Sequence, residues 1–423
     1  MAGIRDFSAA DGISINTTVV ILVMHFYRVP LAVPYWNGAT YRRILRSILL
    51  GAVVDGPDLH ELRSRVIETL GVREAMLCAS GSLALELALR SCDVRQGDEV
   101  VIPTFCCSAV VAPILAIGAN PVLADMGEEL NLTVDTVGAA LTRRTKAVIV
   151  PHLFGNPADI AAIIELARDN NIRVIDDAAQ ALGATFLGQS LGSFGDAGIL
   201  SFGNEKVCFG LGGGAVVSQN QNSSNEHASF DLALPLLLPT LRNLASTVVR
   251  RRWRRWTLPL LKLLSHEQPP DPEAPSGSYR KERLPNLNAA VARALLQSLR
   301  ENIAARRVRV RAYGELLGNE QRIELIPHRP GSVCLTQVVR VLKSRRTEDR
   351  AVEVIDALCN AGYEVRGSYV PIHRLSHCSI CVWDNLAYAE RVWADLIELP
   401  CEPDVSLDQV ERIATIVKAT ISR

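Results

Sequence analysis

The segment TKAVIVPHLFGNPADIAAIIELARDNNIRVIDDAAQ, residues 145–180, contains a strand pattern, a helix pattern and a second strand pattern. Lys146–Val150 and Ile172–Asp176 are short runs rich in Val and Ile, which is typical of strands buried on both faces. Ala158–Asp169 lies between them and has the apolar spacing of a helix. The order strand, helix, strand predicts parallel strands in an α/β layer.

The same alternation continues on both sides of this segment, from residue 72 to residue 218. Five further apolar runs are predicted strands: Ala75–Cys78, Glu99–Ile102, Pro121–Asp125, Ala197–Phe202 and Gly214–Ser218. Three further predicted helices are Ser82–Ser91, Ser108–Ile117 and Val134–Leu141. This pattern predicts an α/β fold with a mostly parallel seven-stranded sheet, whose ligands bind beyond the carboxyl ends of the strands.

The rest of the chain predicts the domain organisation. Residues 1–28 are an extension without clear periodicity, and residues 29–287 form the large domain, with a basic and apolar insert at 225–280. Asn288 to about Leu317 is predicted as one long linking helix, since Gly314 is its only Gly or Pro. Residues 288–423 are thus predicted to contain this linking helix and, after it, a smaller C-terminal α/β domain.

Composition limits the function classes. The 423 residues are 48% hydrophobic and 21% charged, as in an ordinary globular protein. Lys+Arg and Asp+Glu both total 45, so no net charge favours a nucleic-acid partner. Ten cysteines in a chain of this length favour reduced thiols, and the CxxC of Cys378 and Cys381 lacks a second paired motif, so no metal is predicted. Without a signal peptide or a long apolar span, a cytoplasmic protein is expected.

Three motifs place useful side chains directly after predicted strands. The first, Cys78–Ser82 (CASGS), precedes a helix, where backbone N–H groups and the hydroxyls of Ser80 and Ser82 can hold a phosphate. An ordinary N-cap serine is the structural alternative. In the second, Val174–Gln180 (VIDDAAQ), two carboxylates end the predicted strand, and one of them can pair with a protonated pyridine nitrogen. The alternative is an N-cap Asp beside a solvated one.

The third motif is Ser201–Lys206 (SFGNEK), followed by the glycines of Gly212–Gly214. A lysine in a confined site loses its proton more easily and can attack a carbonyl. A surface lysine in a flexible loop is the alternative. Three such motifs in this order, each after a strand of one sheet, favour a cofactor site more strongly than any of them alone.

The chain resembles the DegT/StrS-type sugar aminotransferases, a branch of the fold-type-I pyridoxal-phosphate (PLP) enzymes. The resemblance runs from about Val29 to the C-terminus and is densest from residue 78 to 218. The matching segments are SGSLALELAL (80–89), GDEVVIPTF (97–105), GANPVLAD (118–125), TKAVIVPHLFGNPADI (145–160), VIDDAAQALGA (174–184), SFGNEKVCFGLGGGAVV (201–217), SYVPIHRL (368–375) and ELPCEPDVSLDQVERI (398–413).

The resemblance implies PLP as cofactor and assigns residues to it. Lys206 matches the lysine that forms the Schiff base and moves the proton, and Asp177 matches the partner of the pyridine nitrogen. Asp176 stands where the family usually has Glu, and Gln180 matches the contact on the phenolic-oxygen side of the ring. Gly81, Ser82 and Ser201 match the phosphate contacts.

Two departures from the family pattern concern the ring face and the neighbouring subunit. Cys107 stands where the family often stacks an aromatic residue on the ring, so either Phe105 takes this place or the ring stacks against a smaller side chain. In the family's Asn-aromatic-Arg-Met element, Lys281 replaces the Asn and Arg283 matches the Arg. Lysine can still bind phosphate as a point charge. Substrate contacts are expected from Arg283, Tyr369 and His373, although a structural role for His373 is equally open.

The resemblance implies transfer of an amino group from an amino acid, typically glutamate, to a keto sugar nucleotide by a homodimer with shared active sites. One alternative is a PLP-dependent dehydratase or another non-transaminating enzyme of this fold; such dehydratases tend to replace the lysine by histidine, so Lys206 favours transamination. Another is a non-catalytic, membrane-associated relative. Lys206, Asp177 and Gln180 argue against it.

The insert contains RRRWRRW at Arg250–Trp256 between leucine-rich runs. Tryptophans and arginines in this arrangement fit a peripheral contact with the anionic inner face of a membrane. The alternative is an arm that packs on the dimer or covers the active site.

Overall fold

The structure is a computed structural model that describes residues 29–219, 232–253, 279–342 and 350–422. Its central sheet contains seven strands in the order β1-β9-β8-β5-β4-β2-β3. The strands are β1 Glu74–Cys78, β2 Glu99–Pro103, β3 Asn120–Ala124, β4 Thr145–Pro151, β5 Arg173–Asp177, β8 Ala197–Ser201 and β9 Gly214–Ser218, with a small hairpin of β6 Thr185–Phe186 and β7 Gln189–Ser190 between β5 and β8. Neighbouring strands from β8 to β3 are parallel, and β9 is antiparallel to both of its neighbours. The predicted mostly parallel seven-stranded sheet is confirmed.

Helices cover both faces of this sheet. They are α1 Gly38–Leu49, α2 Pro57–Leu70, α3 Gly81–Ser91, α4 Val111–Ala116, α5 Val134–Ala140, α6 Ile160–Asp169, α7 Leu237–Trp253 and α8 Asn286–Gln297. Successive residues of β4 point to opposite faces, so Val148 and Val150 join the apolar cluster that contains α2 and α6. Ala147 and Ile149 join the cluster that contains α3 and α4. Burial on both faces explains why the strands are continuous apolar runs.

The C-terminal part has its own sheet and apolar cluster. Its strands are β10 Ile323–Leu325, β11 Thr336–Val341, β12 Arg366–Gly367 and β13 Leu396–Pro400, and its helices are α9 Leu299–Leu317, α10 Arg350–Asn360, α11 Ala387–Val392 and α12 Leu407–Ile421. The sheet has the order β10-β11-β13-β12, and its pairs are antiparallel. The smaller α/β unit expected in this part of the chain is therefore present.

The prediction of one continuous linking helix from Asn288 to about Leu317 is wrong. The chain forms α8 and α9 instead, which meet at Ser298. The hydroxyl and the backbone N–H of Ser298 both donate to the carbonyl oxygen of Leu295, at 3.3 and 3.1 Å. A serine that bonds backwards in this way competes with the regular helical hydrogen bonds, and the sequence without Gly or Pro did not reveal it.

The first described residue, Val29, was predicted to open the large domain, yet it contacts the C-terminal part. Its N–H donates to the Gly362 carbonyl oxygen at 3.1 Å, and its own carbonyl oxygen accepts from Glu364 at 2.8 Å. Val29 also belongs to the apolar cluster of the C-terminal sheet. The start of the described chain thus packs on the smaller unit.

Only the beginning of the predicted RRRWRRW contact falls within the described residues. Arg250–Trp253 are the last residues of α7, and 254–256 lie outside the described residues. In the described part of the chain, no helix has both the length and the apolar character needed to cross a membrane.

Burial of His328 makes folding sensitive to acid. Burial lowers the pKa of this imidazole to about 4, whereas in an unfolded chain it is about 6.5. As the pH falls from about 6.5 towards 4, the unfolded chain binds the proton first, so the folded state should lose up to about 3 kcal/mol. We expect His328→Gln to reduce this loss, measured as urea unfolding free energies at pH 7 and pH 4.5. The same change at exposed His60 should leave the pH dependence intact.

Candidate active site

A cavity of about 640 Å³ opens where the parallel strands end. Its lining includes residues within four positions after the ends of β1, β2, β4, β5 and β8, which is where ligands of such sheets bind. The C-terminal part closes the other side with Thr336, Arg366–Val370, Glu398 and Glu402. Of the residues predicted from the sequence, Gly81, Ser82, Asp177, Gln180, Ser201, Lys206 and Tyr369 line this cavity.

The N-terminus of α3 forms one end of the cavity. The Ser80 hydroxyl oxygen caps the helix by accepting from the Leu83 N–H at 3.1 Å. The first N–H groups of a helix have no partner within the helix and attract anions. Gly81 lies against Ser201, since a Cβ on Gly81 would stand 3.0 Å from the Ser201 Oγ. The N-terminus of α3, Ser82 and Ser201 line this end of the cavity, which is therefore a suitable place for an anion.

The close approach of Gly81 to Ser201 gives a test of the anion site. Gly81→Ala should weaken binding of a phosphate-bearing cofactor by about tenfold, because the added methyl group displaces the Ser201 hydroxyl from a charge-assisted hydrogen bond. The measurement is a fluorescence titration of the apoprotein with PLP. Gly38→Ala is the matched control, since Gly38 also begins a helix and a Cβ there meets nothing within 4 Å. Equal affinity in both variants would contradict the assignment.

The two carboxylates at the end of β5 have different surroundings. Asp176 is fully buried; its Oδ1 accepts from His152 Nε2 at 2.8 Å, and its Oδ2 accepts from the N–H groups of Gly192 and Phe194 at 2.6 and 2.9 Å. Asp177 faces the cavity, and its Oδ1 accepts from the Ala179 N–H at 2.9 Å. Asp176 therefore fixes the surrounding loops, and Asp177 is left to face a ligand.

Burial raises the pKa of Asp177, while the hydrogen bond from Ala179 and the charge of Lys206 act in the opposite direction. A buried carboxylate with a raised pKa gains most from a cation placed beside it. The Asp177 end of the cavity is consequently suited to a positively charged group.

His152 was not singled out from the sequence, yet it lines the cavity. Its Nδ1 accepts from the Ala158 N–H at 3.0 Å, so its Nε2 carries the proton that is donated to Asp176. The same rule that drew attention to Asp177 would have found it, since His152 directly follows β4. The imidazole is held in one tautomer and one orientation.

Lys206 lies in the loop between β8 and β9, on the cavity wall. Within the described ranges its ammonium makes no hydrogen bond and no ion pair. Two backbone carbonyls near the end of this loop, those of Leu211 and Gly212, accept from the Asn288 amide at 2.8 and 3.2 Å. Gly212 and Gly213 have φ values of 92° and 126°, which side chains other than glycine rarely adopt. The loop is shaped to present an unpaired lysine to the cavity.

A network links Gln180 to the C-terminal part. Its Oε1 accepts from the Phe154 N–H at 2.9 Å, and its Nε2 donates to the Tyr369 hydroxyl at 3.0 Å. The Tyr369 ring stacks on Phe154 with centroids 5.9 Å apart and meets the edge of Phe105 at 5.8 Å. Phe154 and Cys107 line the cavity, whereas Phe105 is fully buried and is absent from the lining.

Two predicted substrate contacts lie away from the cavity of this chain. His373 bonds through Nδ1 to the Thr104 hydroxyl at 2.7 Å and through Nε2 to Glu390, so it ties the C-terminal part to the end of β2. Arg283 is exposed, and its N–H donates to Ala233. Nearby Lys281 pairs with the buried Glu86 at 2.8 Å.

Arg366 is a second cation of the cavity that sequence reasoning missed. Its guanidinium lies 3.0 Å from Glu205, the neighbour of Lys206, and 3.2 Å from Glu398 on β13. Burial alone would lower the pKa of Arg366, but Glu398 and Glu205 raise it above its ordinary value. Arg366 follows no parallel strand and meets Glu205 only through the packing of the two units, so no local signal identified it.

Known proteins resemble the chain over most of its length. The sequence matches the model of the DegT/DnrJ/EryC1/StrS aminotransferase family over residues 39–418. It is 31% identical, over 85% of this chain and 88% of the relative, to the UDP-N-acetyl-3-dehydro-α-D-glucosamine 3-aminotransferase of Acidithiobacillus ferrooxidans. With the GDP-perosamine synthase of Caulobacter vibrioides it shares 30% identity over the same fractions.

A solved structure shows the same fold. The Helicobacter pylori aminotransferase PseC, which is involved in the biosynthesis of pseudoaminic acid, superposes with a TM-score of 0.77. The alignment covers 93% of this chain and 99% of PseC at 17% sequence identity. The predicted fold class is thereby confirmed.

Proposed function

Since the chain belongs to the DegT/DnrJ/EryC1/StrS aminotransferase family, we propose that it moves an amino group from glutamate to a keto sugar carried on a nucleotide. The observation that carries this proposal is that Lys206, the buried Asp177 and the N-terminus of α3 line the same cavity, and that Lys206 makes no ion pair with the described residues. A transaminase needs a nucleophilic amine, a carboxylate and a phosphate site within reach of one cofactor.

The residues present fit PLP. The α3 N-terminus with Gly81, Ser82 and Ser201 would hold the phosphate, and Asp177 would pair with the protonated pyridine nitrogen. Gln180 would lie on the phenolic-oxygen side, held by Phe154 and Tyr369. When bound, PLP supplies an aldehyde that binds amines and a ring that accepts electrons. The enzyme is accordingly a PLP-dependent aminotransferase.

The chain's own groups would position the cofactor and move protons. Lys206 Nζ would hold the cofactor, and the same amine would accept a proton from the amino donor and return one during the transfer. Asp177 would keep the ring nitrogen of the bound cofactor positively charged. His152 and Asp176 hold the end of β5 and the loop after β4 rigid, so that Asp177 keeps its direction. Cys107 and Phe154, which line the cavity, would offer apolar contact to the cofactor ring.

A nucleotide-linked ketone is the proposed acceptor because curated relatives with about 30% identity bear the names of a UDP-linked and a GDP-linked sugar. The test incubates the enzyme with glutamate and UDP-N-acetyl-3-dehydro-α-D-glucosamine, and separately with GDP-linked keto sugars, and measures the mass change of ketone to amine. An aminated sugar nucleotide that forms only when glutamate is present and Lys206 is intact supports the proposed acceptor class. If glutamate reacts with the cofactor but no nucleotide-linked ketone is aminated, the acceptor class is wrong.

We also propose that two copies associate and share the site. On α1, Tyr41, Leu45 and Leu49 recur every four residues and are exposed, Leu45 to 57% and Leu49 to 74%. An exposed apolar stripe of this kind marks an interface. Arg283, away from this chain's cavity, would then act in the partner's site.

Leu45→Asp combined with Leu49→Asp tests this association. A buried charge without a partner is costly, so we expect the double variant to sediment as a monomer at concentrations where the wild type is a dimer. Leu187→Asp is the control, since Leu187 is 83% exposed at the tip of the β6–β7 hairpin. A double variant that sediments like the wild type would rule out this face.

Contact of residues 250–256 with the inner face of the membrane stays a prediction, as does a cytoplasmic location. Exposed leucines at the start of α7, Leu236–Leu238, support a contact with lipid. Flotation with liposomes that contain or lack anionic lipid tests it. Equal recovery in the unbound fraction for both would remove the prediction.

A further inference from the structure

Arg366 stands at the junction of the two units, on the wall of the cavity that holds Lys206. Its side chain is 45% exposed and lies between two carboxylates that differ in environment. Glu205 is 51% exposed and belongs to the lysine loop, while Glu398 is 5% exposed and also accepts from the Ser368 hydroxyl at 3.2 Å. One cation therefore faces two anions inside a ligand cavity.

The two ion pairs have different costs of separation. A solvent-exposed pair contributes at most about 1 kcal/mol, because water replaces the lost contact. Separating a buried pair leaves an uncompensated charge and costs several times more. Glu205 can therefore leave Arg366 readily, whereas Glu398 holds the guanidinium in place.

The backbone of Glu205 adopts an unusual conformation. Its φ of 61° is in the left-handed region, which is unfavourable for residues other than glycine. The contact with Arg366 is the one ion pair that Glu205 makes among the described residues. Glu205 therefore pairs with the Arg366 guanidinium while its own backbone is strained. It directly precedes Lys206 in the chain.

We propose that Arg366 binds a carboxylate of the amino donor and that Glu205 holds this position until the donor displaces it. This inference rests on the proposed transamination. A guanidinium matches a carboxylate in two parallel hydrogen bonds, and the displaced Glu205 returns to water. Donor recognition is then an exchange of one carboxylate for another on Arg366.

The position of Arg366 favours the donor over the nucleotide as the source of the anion. Arg366 contacts the residue next to Lys206, and the donor's amine must react at Lys206. A short amino acid carries its carboxylates only a few bonds from that amine. The phosphates of a nucleotide-linked sugar are separated from the reacting ketone by atoms of the sugar ring.

The test measures binding of glutarate, a dicarboxylate without an amine, to the PLP-loaded enzyme by calorimetry. Arg366→Gln should weaken glutarate binding by about 10- to 100-fold, the usual effect of losing a charge-assisted pair. Glu205→Gln should instead tighten it by up to about fivefold, because the competing carboxylate is gone. Arg65→Gln is the matched control, since Arg65 is 44% exposed and pairs with Glu68 on the surface of α2.

A parallel titration with UDP distinguishes the two sources of the anion. UDP affinity should be unchanged in both variants. Loss of UDP binding in Arg366→Gln with normal glutarate binding would overturn the proposal, as would a Glu205→Gln variant that binds glutarate no more tightly than the wild type. If Arg366→Gln does not fold, judged by its melting temperature, Glu205→Gln alone decides.

Neither ligand is a ketone, so these results do not depend on the acceptor. An enzyme that fails to aminate any nucleotide-linked ketone but shows the opposite effects of the two variants would refute the proposed acceptor and retain the role of Arg366.

Discussion

Lys206→Arg should lower kcat for transamination by at least about 10⁴-fold. General acid–base catalysis by one side chain contributes about 10²- to 10⁴-fold, and this variant also loses the nucleophile that binds the cofactor. Arginine keeps the positive charge, but its guanidinium does not release a proton in this pH range. The measurement is the initial rate of 2-oxoglutarate formation from glutamate with a saturating acceptor.

Lys146→Arg is the control for this experiment. Lys146 lies on β4 at the end of the sheet opposite to the cavity, and its replacement should leave kcat within twofold or so of the wild type, as is usual for surface changes. A Lys206→Arg variant with more than a few per cent of normal kcat would remove Lys206 from the mechanism.

Asp177→Asn should lower kcat by about 10²- to 10³-fold, the usual cost of losing one electrostatic group aimed at a reacting centre. The amide has the same size and can still accept from the Ala179 N–H, so the fold should be kept. What is lost is the negative charge that holds the ring nitrogen protonated. The expected signature is a fall in kcat with little change in melting temperature.

Asp176→Asn provides the contrast. Asp176 accepts from His152, Gly192 and Phe194 in a fully buried setting, so the amide would leave some of these groups poorly satisfied. We expect a loss of about 2–4 kcal/mol in unfolding free energy. If the two variants exchanged these effects, the assignment of the neighbouring carboxylates would be reversed.

The sheet could be predicted closely because its strands are buried on both faces. β4 and β5, like the other strands of the large sheet, begin and end within two residues of the predicted runs. Side chains that follow strands could also be placed, since parallel strands end at one edge. Asp177 and Lys206 lie 29 residues apart by this sequence's numbering and still meet in one cavity.

Features that depend on the packing of distant segments could not be predicted. The break at Ser298 arises from a side-chain hydrogen bond that composition does not show. Arg366 meets Glu205 across the junction of the two units. Phe105 was expected against the cofactor ring, but it is fully buried, contacts Tyr369 from the C-terminal part and does not line the cavity. The roles assigned to the site residues remain predictions.

The most direct test of the account is the absorption spectrum of the PLP-loaded enzyme before and after glutamate, without any acceptor. We predict a visible band of the lysine-bound cofactor that glutamate abolishes, with one 2-oxoglutarate formed per site, and that added 2-oxoglutarate restores. Lys206→Arg should show no such exchange. A wild-type band that persists unchanged in saturating glutamate would contradict the assignment of this cavity as a transamination site.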